Sequence, residues 1–309
     1  MQTILGANGQ IAEELARVLR RDFTQDIRLV SRQPKKINDT DSLFPANLLD
    51  AAATLQAVRG SEVAYLTVGL PMNTALWEAQ FPVMMRNVIA ACSEAQTKLV
   101  FFDNTYMYPQ NGNLQTEETV FAPVGRKGRV RQHIAEMLLA AMQAGQIEAV
   151  ICRAPEFYGP AKTQSISNTF VFDAIRAGEK LKVPLRDDTL RSLIWTPDAS
   201  RATALIGNTP DAYGQTWHLP IDEARLTYQQ FIGLAEDVFG RSLSYRVISK
   251  FVFRVGALFI SRVKELLELL PRYESNNLFD CTKFKRRFPT FDSTSFRKGI
   301  EIMRDEKSR

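Results

Sequence analysis

The chain reads as an α/β protein built on a doubly wound parallel sheet, with a smaller, mostly helical C-terminal lobe. Three observations predict this. Short, near-continuous apolar runs (Thr3–Leu5, Ile27–Val30, Glu62–Val68, Lys98–Asp103 and Ala149–Arg153) alternate with helical stretches. Unbroken apolarity marks strands covered on both faces, the condition of a parallel sheet between helices. The first run breaks at Gly6-Ala7-Asn8-Gly9, after which Ile11, Leu15, Val18 and Leu19 line one face of an amphipathic helix. Beyond Gly159-Pro160 the alternation gives way to short extended pieces and helices.

In order, the second strand Ile27–Val30 ends in Ser31-Arg32, and Lys35–Ala46 reads as a polar loop. Asn47–Asp50 leads into a helix over Ala51–Val58, and the third strand closes on Gly69-Leu70-Pro71. A long helix spans Thr74–Ala95, the fourth strand ends at Asn104–Pro109, and a helix covers Gly128–Ala144 before the fifth strand. The later part predicts helices over Asn168–Ala177, Pro197–Ile206, Thr227–Phe239, Lys250–Ile260, Val263–Leu270 and Ser293–Met303. Extended pieces fall at Leu181–Leu185, Leu190–Trp195 and Thr216–Leu219. The domains are therefore 1–155, to which the chain returns around 190–219, and a lobe over 156–309.

A strand, a glycine turn and a helix start make a phosphate cradle. Gly6, Asn8, Gly9, Gln10 and Ile11 lie where close backbone approach and the helix dipole would hold a pyrophosphate, the alternative being an ordinary βα loop. The end of the second strand would lie beside the adenosine ribose, where an acid suits a free 2′-hydroxyl and an arginine a 2′-phosphate. Ser31 and Arg32 stand there, followed by Lys35 and Lys36, with no acid before Asp39. This favours NADP over NAD; the alternative is that Arg32 is a solvated loop charge.

At 309 residues, 45% hydrophobic and 24% charged, the composition is that of a soluble globular protein. No run of about 18 apolar residues exists, so no membrane span is expected, and Phe251–Val263, broken by Arg254 and Arg262, reads as a packing or interfacial helix. A first strand at the very N-terminus leaves no room for a signal peptide, and the expected location is cytoplasmic. Three scattered cysteines and two histidines predict no metal site. A net charge of +5, clustered at Arg126–Arg131 and Lys283–Arg287 without a recognition motif, predicts no nucleic-acid partner. Neither is a membrane expected among the partners.

Four segments together resemble the NAD(P)-dependent epimerase/dehydratase family of the extended short-chain dehydrogenase/reductase superfamily. Gly6–Ala12 is similar to its Gly-x-x-Gly-x-x-Gly turn, and Arg153-Ala154-Pro155-Glu156-Phe157-Tyr158-Gly159-Pro160 resembles Arg-Pro-x-Asn-Val-Tyr-Gly-Pro. Arg191–Ala202 resembles the Arg-Asp-Phe-x-x-Val-x-Asp-Val-Ala-x-Ala segment near the substrate, and Asp103–Pro109 takes the place of Ser-Ser-x-x-Val-Tyr-Gly. The resemblance implies a Rossmann-type domain, a bound dinucleotide and a nucleotide-sugar or carbonyl substrate. On this alignment Leu48, Gly69, Asn104, Ala154 and Phe157 join the cofactor contacts, and Tyr108, Glu156, Tyr158, Arg191 and Trp195 are the substrate candidates. The helices Thr74–Ala95 and Gly128–Ala144 could pair into the four-helix homodimer of this superfamily.

The chain departs from the family at its acid/base pair. Family members carry Tyr-x-x-x-Lys on the helix after the fourth strand, the lysine lowering a tyrosine pKa of about 10. Here no tyrosine lies between Tyr108 and Tyr158; Gly128 and Gln132 occupy the two positions. The one Tyr-x-x-x-Lys, Tyr158 to Lys162, contains Gly159-Pro160 and cannot form the helical turn that stacks the two side chains. Asn104 replaces the hydroxyl residue that polarises the substrate carbonyl, Tyr106 is the candidate proton donor, and Lys127 or Arg129 the candidate stabiliser of oxygen charge. The alternative is that Tyr108 packs the loop while Lys127 and Arg129 cap and solvate the helix. Two functions follow: an NADP-dependent oxidoreductase or epimerase with an atypical site, or a non-catalytic NADP(H)-binding sensor.

Overall fold

The computed structural model describes residues 1–161 and 163–306. The chain divides into two compact units. The first comprises Met1–Met107, Arg126–Ala154 and Ala199–Leu219; the second takes Tyr108–Gly125, Pro155–Asp198 and Pro220–Arg309. The segment Tyr108–Gly125 thus belongs to the second unit, although it lies between two elements of the first.

In the first unit the elements are β1 (Gln2–Leu5), α1 (Gln10–Asp22), β2 (Ile27–Ser31), β3 (Ser42–Pro45), α2 (Ala51–Val58), β4 (Val63–Leu66) and α3 (Thr74–Glu94). They continue with β5 (Lys98–Asp103), α4 (Gly125–Gln143), β6 (Ala149–Arg153) and β7 (Thr216–His218). The seven strands form one sheet in the order β7-β6-β5-β4-β1-β2-β3. Every neighbouring pair is parallel: Ile4 lies opposite Leu29 on one side and Tyr65 on the other, and Phe101 opposite Leu66 and Ile151. β1 and β4 are wholly buried, which explains their unbroken apolar runs. Helix side chains such as Trp77, Phe81, Val88, Ile134 and Leu138 close one core against Leu5, Leu66, Leu99 and Ile151.

Two expectations need correction here. Lys35–Ala46, read as a loop, contains the edge strand β3, which pairs with β2 from Ser42↔Arg28 to Pro45↔Ser31. Its residues are mostly exposed, so no apolar run was needed to form it. α4 begins at Gly125, three residues before the expected Gly128, and its first turn carries Arg126 and Lys127, whose contacts with α3 are described below.

The second unit has its own aromatic core. Tyr158 lies 5.2 Å from Trp195, 5.3 Å from Phe296 and 5.7 Å from Phe231, ring centre to ring centre. Helices Tyr228–Phe239 and Phe296–Asp305 supply much of this interior. Short strands pair around it, Glu156–Tyr158 with Leu193–Trp195 and Leu181–Pro184 with Tyr245–Ile248.

Candidate functional site

The strand order of the first unit reverses between β1 and β4, and such a switch point leaves a crevice at the carboxyl ends of the strands. Gly6, directly after β1, has φ +101°, the left-handed region that favours glycine. A Cβ there would sit 2.9 Å from the Val68 backbone, so only glycine lets the two loops pass. The Gly6 and Ala7 amides both donate to the Val30 carbonyl, at 2.9 and 3.0 Å, and Gly9 N–H donates to the Gly6 carbonyl at 3.1 Å. Gly9 is also the residue that opens α1, and it brings no side chain over the first helical turn. Asp50, Asn73, Thr227, Ser249 and Ser295 cap their helices with side-chain oxygens. A helix start without such a lid, at the switch point, suits an anionic phosphate. Ile11 is buried against the core, whereas Gly69 has open space where a side chain would stand.

At the end of β2, Asn8 Nδ2 donates to the Gln33 carbonyl at 2.8 Å, tying the glycine turn to the following loop. Ser31 Oγ accepts the Gln33 amide at 3.2 Å. Arg32 is exposed, and among the described residues its guanidinium pairs with no carboxylate. Leu48 is buried and its carbonyl accepts from Asn87 Nδ2 at 2.9 Å.

At the end of β5 the Asn104 side-chain oxygen accepts the Tyr106 amide at 2.9 Å, which fixes the turn and leaves the Asn104 amide nitrogen as its donor group. The first turn of α3 gathers the candidate groups. Thr74 Oγ1 accepts from Lys127 Nζ at 2.6 Å, and Trp77 stacks on Tyr106 with centroids 6.2 Å apart. Glu78 binds the Arg126 guanidinium through two hydrogen bonds, which hold its carboxyl below the usual range. Thr74, Trp77 and Glu78 share one helical face by their spacing. Lys127 is fully buried, whereas Arg129 is exposed. Sequence reasoning missed Thr74 and Trp77; Asn73 before a helical run was the one visible signal of that turn.

Beneath this turn lies a buried ionic cluster that the sequence did not reveal. Asp103 binds Arg131 through Nε at 3.0 Å and also through its terminal nitrogen, and its other oxygen accepts from Arg153 at 3.3 Å. The Arg131 guanidinium stacks 5.1 and 5.3 Å from the Phe81 and Phe101 rings. Ala154, next in the chain and fully buried, donates its amide to the Asp103 carbonyl at 3.0 Å.

The substrate candidates all fall in the second unit, and all five are buried. Tyr158 and Trp195 belong to the aromatic core, and Tyr108 is buried with its ring 5.9 Å from Phe121. Phe157, a cofactor candidate, is half-buried in the same unit. Glu156 and Arg191 pair with each other at 3.0 Å, both almost fully buried. Glu156 also accepts from Tyr273 at 2.8 Å and Tyr228 at 3.2 Å. Burial would raise the Glu156 carboxyl, but the charges of Arg191 and Arg272 and these hydrogen bonds outweigh it and set it below the usual range. The pairing satisfies Glu156 inside the unit, where a substrate hydroxyl would compete with the donors of Arg191, Tyr228, Tyr273 and Ser167. Lys162 of the isolated Tyr-x-x-x-Lys lies outside the described residues.

A groove lined by Arg20, Arg21, Gln25, Ile37 and Asn38–Thr40 lies at the C-terminal end of α1, the far end from the cradle. Among the described residues no group of three or more His, Cys, Asp or Glu side chains could hold a metal.

A parallel sheet in this order, with a glycine turn opening a helix where the order reverses, defines the Rossmann-type class of α/β proteins. Within that class, the profile of the NAD dependent epimerase/dehydratase family matches residues 3–219, and the chain belongs to that family. No curated protein sequence matches it. Solved structures share the fold at low identity. UDP-glucuronic acid 4-epimerase from Bacillus cereus, in complex with NAD, is 14% identical, with 99% of this chain and 98% of that one covered and a TM-score of 0.78. UDP-glucose 4-epimerase of Thermus thermophilus, also with NAD, is 14% identical over 99% and 98%, with a TM-score of 0.76. UDP-N-acetylglucosamine 4-epimerase from Bacillus cereus is 12% identical over 98% and 94%, with a TM-score of 0.77.

Proposed function

We propose that the protein is a nicotinamide-dinucleotide-dependent oxidoreductase or epimerase acting on a nucleotide sugar or a related carbonyl compound, with NADP as the preferred dinucleotide. One observation carries the reading: the glycine-opened start of α1 at the β1/β4 switch point, where a Cβ on Gly6 would strike Val68. The family supports it, and the neighbours named above are nucleotide-sugar epimerases, two of them holding NAD. The choice of NADP rests on Arg32 and the lack of an acid at the end of β2.

Bound in the cradle, the dinucleotide would supply a hydride acceptor or donor. The chain's own part falls to groups of the first unit. The Asn104 amide donates a hydrogen bond to the reacting oxygen, and Tyr106, held flat by Trp77, gives or takes the proton. Lys127 acts through Thr74 as a positioning residue, and Arg129 adds positive potential from the surface.

Titration of the purified protein with NADP and NAD, followed by calorimetry, tests this. NADP is expected to bind more tightly, and Arg32→Ala to erase the preference by roughly tenfold or more. Equal binding of the two dinucleotides would remove the role of Arg32 alone; no heat with either would remove the whole reading. Turnover against nucleotide sugars and aldehydes, lost in Tyr106→Phe with dinucleotide binding kept, would assign the proton to Tyr106.

A further inference from the structure

The second unit carries an apolar surface that its own core does not use. In the helix Lys250–Phe259 the one buried residue is Phe253, whose ring lies 6.5 Å from Phe170. The helix that follows, Ser261–Leu267, has no buried residue. By helical spacing Phe251, Val255 and Leu258 share the face away from Phe253, with Val252 and Phe259 beside them. Phe251 is 73% exposed, Leu258 78% and Phe259 82%; Ile260, at the turn between the two helices, is also exposed. Apolar side chains scattered singly on a surface are ordinary, but several large ones on one face and at the adjoining turn are not.

The charges carried by this stretch all have one sign. From Arg246 to Lys264 the sequence holds Arg246, Lys250, Arg254, Arg262 and Lys264 and no acid. All five are exposed. Lys250 is paired with Glu274. Among the described residues Arg246, Arg254, Arg262 and Lys264 form no ion pair. The acids nearest in sequence, Glu265 and Glu268, follow the stretch on the half-buried side of the second helix. An apolar face bordered by unpaired cations matches the interface of an anionic bilayer. The rings enter the acyl boundary while the guanidinium and ammonium groups reach the headgroups. A second copy of this chain is a poorer partner, because a two-fold contact through this face would set the same cations against each other. Among the described residues no helix is long and apolar enough to cross a membrane, so the contact is with the surface.

We propose that the helices Lys250–Phe259 and Ser261–Leu267 dock the protein on anionic lipid surfaces. It departs from the sequence-based expectation of no membrane partner. The test is co-sedimentation of the full chain with vesicles of phosphatidylcholine alone or mixed in equal parts with phosphatidylglycerol. Binding to the mixed vesicles, weakened by salt, is expected, with none to the neutral ones. The triple variant Arg254→Gln, Arg262→Gln, Lys264→Gln should bind about a hundredfold more weakly. Leu258→Gln with Phe259→Gln should lose at least about tenfold. Both sets are exposed, so circular dichroism and the melting midpoint should match the parent. On vesicle addition the emission of Phe259→Trp should shift to the blue. The proposal is overturned if the protein ignores mixed vesicles or if both variants bind as the parent does. A dimer abolished by Leu258→Gln with Phe259→Gln, without vesicle binding, would overturn it in favour of a second copy.

Discussion

In each unit a carboxylate is buried against arginine, and the two are neutralised in different ways. Asp103 in the first unit is held by two guanidiniums, Arg131 from α4 and Arg153 from β6, together with the backbone N–H of Asn104. Glu156 in the second unit has one guanidinium in contact, Arg191, and completes its shell with the hydroxyls of Tyr228, Tyr273 and Ser167. Burial and the Glu156 charge push both tyrosine hydroxyls up, so they stay protonated and donate. The first cluster is an ionic clamp across three elements, directly before the Asn104–Tyr106 turn that carries the candidate proton donor. The second is a mixed network that ties Glu156 to helices late in the chain. A buried ion at a strand end therefore does not by itself mark a reactive carboxylate: in both places the charge is satisfied internally.

Substitutions sharpen the contrast. The largest effect is expected from Asp103→Asn, which leaves two buried arginines without their carboxylate. Breaking such a pair costs about 3–5 kcal/mol, read as a fall in the urea midpoint. The same variant should disturb the Asn104–Tyr106 turn and so lower any turnover. A loss no greater than that of an exposed pair would equate this cluster with the surface ones.

Glu156→Gln should come next, since it strands one arginine while the tyrosine hydroxyls keep an acceptor. Its clearest signature is in pH. Because the folded Glu156 carboxyl lies below its unfolded value of about 4.3, its stabilisation is present above that pH and lost as pH falls through the folded value. The parent should show this acid limb in midpoint against pH, and Glu156→Gln should flatten it. An unchanged limb would assign acid sensitivity to other carboxylates.

Tyr228→Phe removes one hydroxyl and leaves the Arg191 pair intact, so a loss of about 1–2 kcal/mol is expected by chemical denaturation. A loss equal to that of Glu156→Gln would mean that hydroxyls and not the guanidinium neutralise the carboxylate. At the small end, Glu78→Gln breaks a solvent-exposed pair with Arg126 and should leave the melting midpoint where it was. A clear fall would show that the start of α4 depends on this pair.

Much of the fold was legible because its signals are local. Unbroken apolar runs gave five of the seven strands of the main sheet, Thr216–Leu219 gave a sixth, and Gly6–Gly9 gave the turn that opens α1. Strand β3 escaped because an exposed edge strand is held by backbone pairing with β2 and needs no apolar pattern. The site was less legible. Lys127 and Tyr106 were visible as residue types, but their partners Thr74 and Trp77 were not, since Lys127 and Thr74 lie 53 positions apart. Tyr158 and Trp195 were substrate candidates by their motifs, and aromatic packing in the second unit takes both inward.

The sequence by itself determined the periodicity of burial, the turn that needs glycine at Gly6, and the basic stretch from Arg246 to Lys264, each encoded within a few neighbouring residues. Only the tertiary structure decided which charges became buried pairs, that Glu156 meets Arg191, and that Phe251, Leu258 and Phe259 stay uncovered. Those outcomes depend on which distant segments come within a few ångströms of one another. Residue type and spacing do not specify that; the packing of the whole chain does.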